Sequence, residues 1–358
     1  MRDQALERER LESLQQKQLV RSKGEFDLWK KKRDRQFRLF KKEIYRQWGE
    51  FLTPGRKRWV EYSADGSSVF VVDFEKGTVT VKVRASVEES AVNTKKKLAQ
   101  EVKRVISSCG SIDELPVEGS KLLDNPVLAG QLALSDGSPV SEKDAVAIVE
   151  GTKIDSRISS EQIVGRDEQR ISLVFPLAPD HLKKRMEPFL PFVDKYCVAY
   201  GLEPELVLAI IHSESYFNPL ARSEANAVGI MQLVPEKGGA DAYLLVTSAP
   251  GIPDDRYLLD PENNIRLGCA YLHLLSSRYF GAVNSREKNR YCTIAGYNTG
   301  PGNVAWAFTG SVLVDNAVLV INGRSDDAVY RHLLRSLPYA ETRFYLQTVV
   351  ERMKLYRR

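Results

Sequence analysis

A single carboxylic acid, Glu214, stands among apolar residues in the stretch LVLAIIHSESYFNPLARSEANAVGIMQLVP, residues 206–235. Pro204 favours a helix start just before it. Glu214 follows Val207 by seven residues, Ile210 by four and Ile211 by three, so the spacing predicts that all four share one helix face. An acid on such a face is costly to ionise. Its pKa should rise toward neutrality, where a carboxyl can act as a general acid. The other reading is structural: a buried Glu satisfied by a fixed partner. Asn218-Pro219 should stop the helix. After a polar connection, Gly229-Ile230-Met231-Gln232 offers a small residue, two apolar ones and an amide.

The elements that must hold this stretch fall into three zones. Residues 1–46 read as a charged, basic helical arm; the first 50 residues hold 15 Lys and Arg against 9 Asp and Glu. Contact with an anionic membrane or the cell-wall matrix is one reading of the arm, and aromatics packed on the next domain the other. No nucleic-acid motif accompanies it, and none is expected as a partner. Residues 47–177 read as a small accessory α/β domain with an antiparallel sheet. Its predicted strands are 58–62, 68–74, 78–84 and 169–176, with a three-residue hairpin loop at Glu75-Lys76-Gly77 and a helix over 87–107. A Gly- and Ser-punctuated region follows that helix, partly helical over 127–134. From 178 to 358 the strand signal stops, and helices are expected over 181–200, 204–216, 263–279, 287–297, 303–307, 327–336 and 341–356. The fold class is therefore α+β with two domains, the second all-α.

Composition excludes little else. No apolar run approaches the roughly 18 residues of a spanning helix, and MRDQALERERLES shows no apolar leader region. Cys109, Cys197, Cys269 and Cys292 lack metal-ligand spacing, so no metal or other cofactor is expected and buried thiols are favoured over a disulfide. The accessory domain carries no catalytic constellation and reads as a positioning or regulatory unit.

Four ordered blocks then carry a resemblance: Glu214-Ser215 with Phe217-Asn218-Pro219; Gly229-Ile230-Met231-Gln232; Ala295-Gly296-Tyr297-Asn298 with Gly300-Pro301-Gly302; and Pro338-Tyr339-Ala340-Glu341-Thr342-Arg343 with Tyr345. Together they resemble the lytic transglycosylase family, whose catalytic domain is lysozyme-like. The order of hairpin, helix, late strand and catalytic domain is similar to the membrane-bound lytic murein transglycosylase C group. That likeness implies a periplasmic, outer-membrane-associated setting, with peptidoglycan glycan strands as partner. The arm has no counterpart in it, and a monomer is expected.

Two-carboxylate glycosidases place their acids roughly 5–5.5 Å or 6.5–9.5 Å apart. Here Glu224 lies in the polar RSEAN connection, and no second acid in the stretch has an apolar setting. One carboxylate suits a substrate that supplies its own nucleophile. The resemblance implies that reaction: Glu214 protonates the leaving oxygen, then takes the proton of the muramoyl 6-hydroxyl. Gln232 offers an amide to a sugar group, and Met231 a soft apolar wall. By resemblance Ser223 holds substrate polar groups, Tyr297 and Asn298 line the cleft, and Tyr345 stands near the acid. Ala225 stands where some members have another serine. Tyr339 is a candidate stacking aromatic, and Glu341 is expected to pair structurally with a helix terminus or Arg343. A lysozyme-like hydrolase and a non-catalytic wall-binding scaffold are the alternatives.

Overall fold

In the computed structural model, residues 2–110, 123–163 and 165–357 are described; the side chains of residues 1–13, 15, 16, 18 and 19 lie outside it. The first helix, α1 (Arg2–Trp48), runs unbroken through Gly24. Alternating residues then form β1 (Arg58–Tyr62), β2 (Ser68–Asp73) and β3 (Thr78–Ser86). Helix α2 (Ala91–Ser107), the short α3 (Ala145–Glu150) and strands β4 (Arg157–Gln162) and β5 (Glu168–Pro176) complete the accessory domain. The sheet is antiparallel in the order β1-β2-β3-β5-β4. On β3, Val79, Val81, Val83 and Ala85 are buried, and Val81 lies opposite Leu173 of β5. Period-2 burial of this kind is what the sequence pattern predicts.

Several details differ from expectation. Asp73 pairs with Thr78, so the β2–β3 hairpin loop has four residues rather than three, and Phe74 within it is buried. Helix α2 starts at Ala91 because the Ser90 hydroxyl caps it, accepting from Asn93 N at 3.3 Å. Residues 127–130 form a turn and 131–134 an irregular segment with a bridge from Ala133 to Pro139, not a helix, though Val127, Leu128 and Leu132 reach the core. Residues 111–122 of the same region lie outside the described residues. Strand β4 (RISSEQ) is exposed along its length, so it carries no apolar alternation to betray it.

From Leu177 on, no strand occurs among the described residues. The helices are α4 (His181–Met186), α5 (Leu190–Tyr200), α6 (Pro204–Ser215), α7 (Ala240–Thr247) and α8 (Asp255–Leu259). Then come α9 (Pro261–His273), α10 (Arg286–Thr299), α11 (Pro301–Thr309), α12 (Val314–Asn322), α13 (Asp326–Ser336) and α14 (Ala340–Met353). Pro188 and Pro191 split the expected 181–200 helix into two. Helices α7, α8 and α12 were not anticipated; all three are short, and α7 shows weak helical periodicity. Helix α6 is the axis of this domain. Every side chain from Leu206 to Ser215 is buried, so Glu214 sits not on an apolar stripe but on a helix surrounded by protein.

The two domains share their packing. Leu220 and Tyr216, just past α6, pack with the accessory core. Arg185 of α4 is buried over the Phe74 ring and donates to Gln131 Oε1 at 2.9 Å and to Tyr216 O at 2.7 Å. Helix α1 straps both domains. Its Ile44 and Trp48 are buried with Val60, Tyr62 and Val69, and Trp48 Nε1 donates to Gly66 O at 2.7 Å. Farther up, Arg33 pairs with buried Asp255 at 3.0 Å, and Ser22 Oγ accepts from Ile252 N at 3.1 Å. Lys31, Lys32, Arg35, Arg38, Lys41 and Lys42 remain turned to solvent.

Candidate active site

Glu214 occupies the last turn of α6, which ends two residues earlier than Asn218-Pro219 would require. Tyr216 (φ 55°) and Phe217 (φ 59°) both take left-handed backbone, which ends a helix and is strained for residues with a Cβ. Surrounding structure holds them there. Arg185 binds the Tyr216 carbonyl, and the Phe217 side chain is fully buried. Ser215 Oγ donates to Ile230 O at 2.7 Å, tying the end of the acid's helix to the Gly229–Gln232 turn. Gly229 itself needs its missing side chain. Its φ is +82°, and a Cβ would collide with Asn264 Nδ2 and Leu258 O.

A cleft of about 1140 Å³ opens over Glu214. Its floor includes Glu214 and Gln232. Ser223 to Ala225, Tyr297 to Thr299 and Pro338 to Thr342 form three sides, and the accessory-domain loop Thr53 to Arg56 forms another. Glu214 is only 5% exposed. Burial pushes its pKa up to about 7, while the Tyr345 hydroxyl and the Arg56 guanidinium pull against that rise and Glu341 adds to it. Arg56 Nη1 lies 3.7 Å from Glu214 Oε2. The Tyr345 hydroxyl is buried near the acid, yet no hydrogen bond of ordinary length reaches it. Catalytic contacts of this kind commonly tighten only when substrate is bound.

The remaining expected residues divide into those at the cleft and one beneath it. Ser223 lines the cleft, its Oγ accepting from Ala227 N at 3.0 Å. Tyr297 donates its hydroxyl to Met231 O at 2.7 Å, and Asn298 Oδ1 accepts from Thr342 Oγ1 at 2.7 Å. Tyr339 lines the cleft with 57% of its surface exposed, so its ring is open to a ligand. Gln232 has less to offer than an amide in solution. Its Nε2 is committed to Ala221 O at 3.0 Å and Gly229 O at 2.9 Å, while its Oε1 is buried without a partner. Only the acceptor is free for a ligand.

Met231 is a correction. Its side chain is fully buried and turns away from the cleft into the hollow left by Gly268, where a Cβ would meet its sulfur. It is a core residue that presents its backbone carbonyl to Tyr297, not an apolar wall for a sugar. Met231→Leu should therefore lower the midpoint of urea unfolding, at a cost of about 1 kcal/mol, and leave KM unchanged. A raised KM at unchanged stability would restore the wall.

Glu341 lies in the first turn of α14, the helix-terminus setting expected of it, but Arg343 is not its partner. It pairs with Arg56 at 3.3 Å across the cleft, whereas Arg343 donates to the Leu337 carbonyl. The acids lining the cleft are Glu214, Glu224 and Glu341, and the last two are exposed. Among the described residues no cluster of His, Cys, Asp and Glu could hold a metal. The cysteines are unpaired thiols, with Cys197, Cys269 and Cys292 buried. The sequence carried no signal for Arg56 as a site residue. It lies in a different domain, in a loop whose composition is ordinary for a turn.

Comparison with known proteins shows the family. Residues 191–311 match the family described as "Transglycosylase SLT domain". The chain is 34% identical over 295 residues to membrane-bound lytic murein transglycosylase C of Serratia proteamaculans (strain 568), covering 80% of this chain and 78% of that protein. The protein of the same name from Yersinia pestis (strain Pestoides F) is 33% identical over the same shares. The 70 kDa soluble lytic transglycosylase of Escherichia coli is 28% identical, with 50% of this chain and 25% of that chain covered and a TM-score of 0.37. The chain thus belongs to the lytic transglycosylase family, in the group of the membrane-bound lytic murein transglycosylases C.

Proposed function

We propose that this enzyme cleaves the β-1,4 bond between N-acetylmuramic acid and N-acetylglucosamine in peptidoglycan without water. The products are 1,6-anhydromuramoyl ends, and Glu214 is the single acid and base. The observation that carries the reading is the setting of the acids: Glu214 is buried in the cleft, while Glu224 and Glu341 beside it are exposed. Neutral Glu214 gives its proton to the glycosidic oxygen as the C1–O bond breaks and N-acetylglucosamine leaves. The Glu214 carboxylate then takes the proton of the muramoyl 6-hydroxyl, whose oxygen bonds to C1. Glu214 ends protonated, and no water is consumed.

The other residues serve binding. Gln232 Oε1 accepts from an N-acetyl N–H or a hydroxyl; Ser223 and Asn298 bind polar groups at the rim; Tyr339 stacks on a sugar face. Tyr297 and Tyr345 flank the acid. The relatives are named membrane-bound, which supports a place in the cell envelope, periplasmic and at the outer membrane. The exposed basic residues of α1 suit contact with an anionic membrane or wall.

Mass spectrometry of products released from purified sacculi tests the reaction. Anhydro-muropeptides are expected; products heavier by one water would make the enzyme a hydrolase instead. The pH profile tests the acid. Since the first step needs neutral Glu214, kcat/KM should fall as pH rises through about 7.

A further inference from the structure

Arg56 is the cation in contact with the acid, and it comes from the accessory domain. Its loop is built to hold still. Gly55 and Arg58 exchange backbone hydrogen bonds at 2.9 and 3.4 Å, and Arg58 Nη2 donates to Thr53 O at 2.7 Å. Asn218 Nδ2, four residues past Glu214, donates to Arg56 O at 3.3 Å and locks the loop to the acid's own segment. The guanidinium then spans two carboxylates, with Nη2 3.3 Å from Glu341 and Nη1 3.7 Å from Glu214.

A cation fixed only on Glu214 would oppose the first half of the reaction, when the acid must be neutral. It would favour the second half, when the acid is a carboxylate that must survive in a buried site until it takes a proton. A second carboxylate within reach resolves the conflict. Glu341 is exposed and lies 3.3 Å from the other end of the same guanidinium, so its carboxylate can hold Arg56 while Glu214 is neutral and share it when Glu214 becomes charged.

We propose that Arg56 is a positioning cation lent by the accessory domain, held by Glu341 before proton transfer and shared with the Glu214 carboxylate after it. The inference rests on the reading of Glu214 as acid and base. It gives the accessory domain a part in the chemistry: separating the domains would remove the counter-ion. The groups facing Glu214 are Tyr345 and Glu341 from α14, Tyr297 from α10 and Arg56 from the loop, while Arg58, Arg222, Lys237 and Glu224 line the same cleft farther off.

The test is the pH profile of kcat/KM on purified glycan strands, using the full chain. Arg56→Gln should move the basic limb up by about 1 pH unit, because an adjacent positive charge is lost. Glu341→Gln should move it down by roughly half a unit, because a like charge is lost and Arg56 is left to Glu214 alone. Arg56→Lys, which keeps the charge, should hold the limb near its wild-type position. The Arg56 side chain is partly exposed, so these variants are expected to fold, and circular dichroism checks that they do. An unmoved limb in Arg56→Gln, or an upward move in Glu341→Gln, overturns the proposal. Glu214→Gln separates the two readings: if it stays active, the single-acid mechanism fails; if it is inactive while the Arg56→Gln limb stays put, only the shared cation fails.

Discussion

Glu214→Gln should lower release of anhydro-muropeptides by roughly 10³-fold or more, since in the proposed reaction it removes the general acid and base from both halves. The amide keeps the shape of the carboxyl, so the cleft should stay intact and glycan strands should still bind. Chromatography of sacculus digests reads the loss, and release within tenfold of wild type would remove Glu214 from the mechanism. The same variant has a second signature. The ordinary carboxyl value of 4.5 is raised to about 7 by burial, so the folded state holds the proton more tightly than the unfolded one. Stability from this group is therefore fully present below about 4.5 and lost as pH rises through about 7. Thermal midpoints of wild type and Glu214→Gln should agree near pH 4 and diverge by pH 8, with the amide variant the more stable. A constant gap would mean that Glu214 titrates alike in the folded and unfolded chain.

Gly229→Ala should cost about 3–5 kcal/mol of stability and most of the activity. Its positive φ disfavours any Cβ, and the new methyl would strike Asn264. Asn264 is fully buried and has no slack. It accepts from Met231 N at 2.8 Å and donates to Val228 O at 3.0 Å and Leu258 O at 2.7 Å. Displacing it loosens the turn that carries Gln232 and receives Ser215. Gly24→Ala is the matched control. Its Cβ would meet nothing within α1, and Ala favours a helix interior by roughly 0.5–1 kcal/mol. Urea unfolding compares them: a large loss is expected at Gly229, and none, or a small gain, at Gly24. Equal effects would mean that the Gly229 turn can relax.

The strands of the accessory sheet were legible because β3 and β5 bury one face, which writes period-2 alternation into sequence, while β1 and β2 carry apolar residues buried on both faces, one of them under α1. Strand β4 buries neither face and left no trace. The longer helices of the C-terminal domain were placed by Pro starts and apolar periodicity, and the blocks around Glu214, Gln232, Tyr297 and Tyr345 by resemblance. Where short helices such as α8 lack periodicity, nothing marked them.

Residue type and local spacing therefore settle the fold class and the helix under Glu214, and single out that residue as the candidate acid, because these depend on neighbours a few positions away. Direction and long-range contact are beyond local spacing. Met231 and Gln232 are adjacent in the chain, yet the hollow at Gly268 draws one into the core while a left-handed turn brings the other to the cleft. Arg56 meets Glu214 only because the accessory domain docks on the segment after α6, through Asn218, Leu220 and Arg185. That docking is a matter of shape and buried area between surfaces far apart in sequence. The folded chain thereby brings a cation to an acid that had seemed to stand alone.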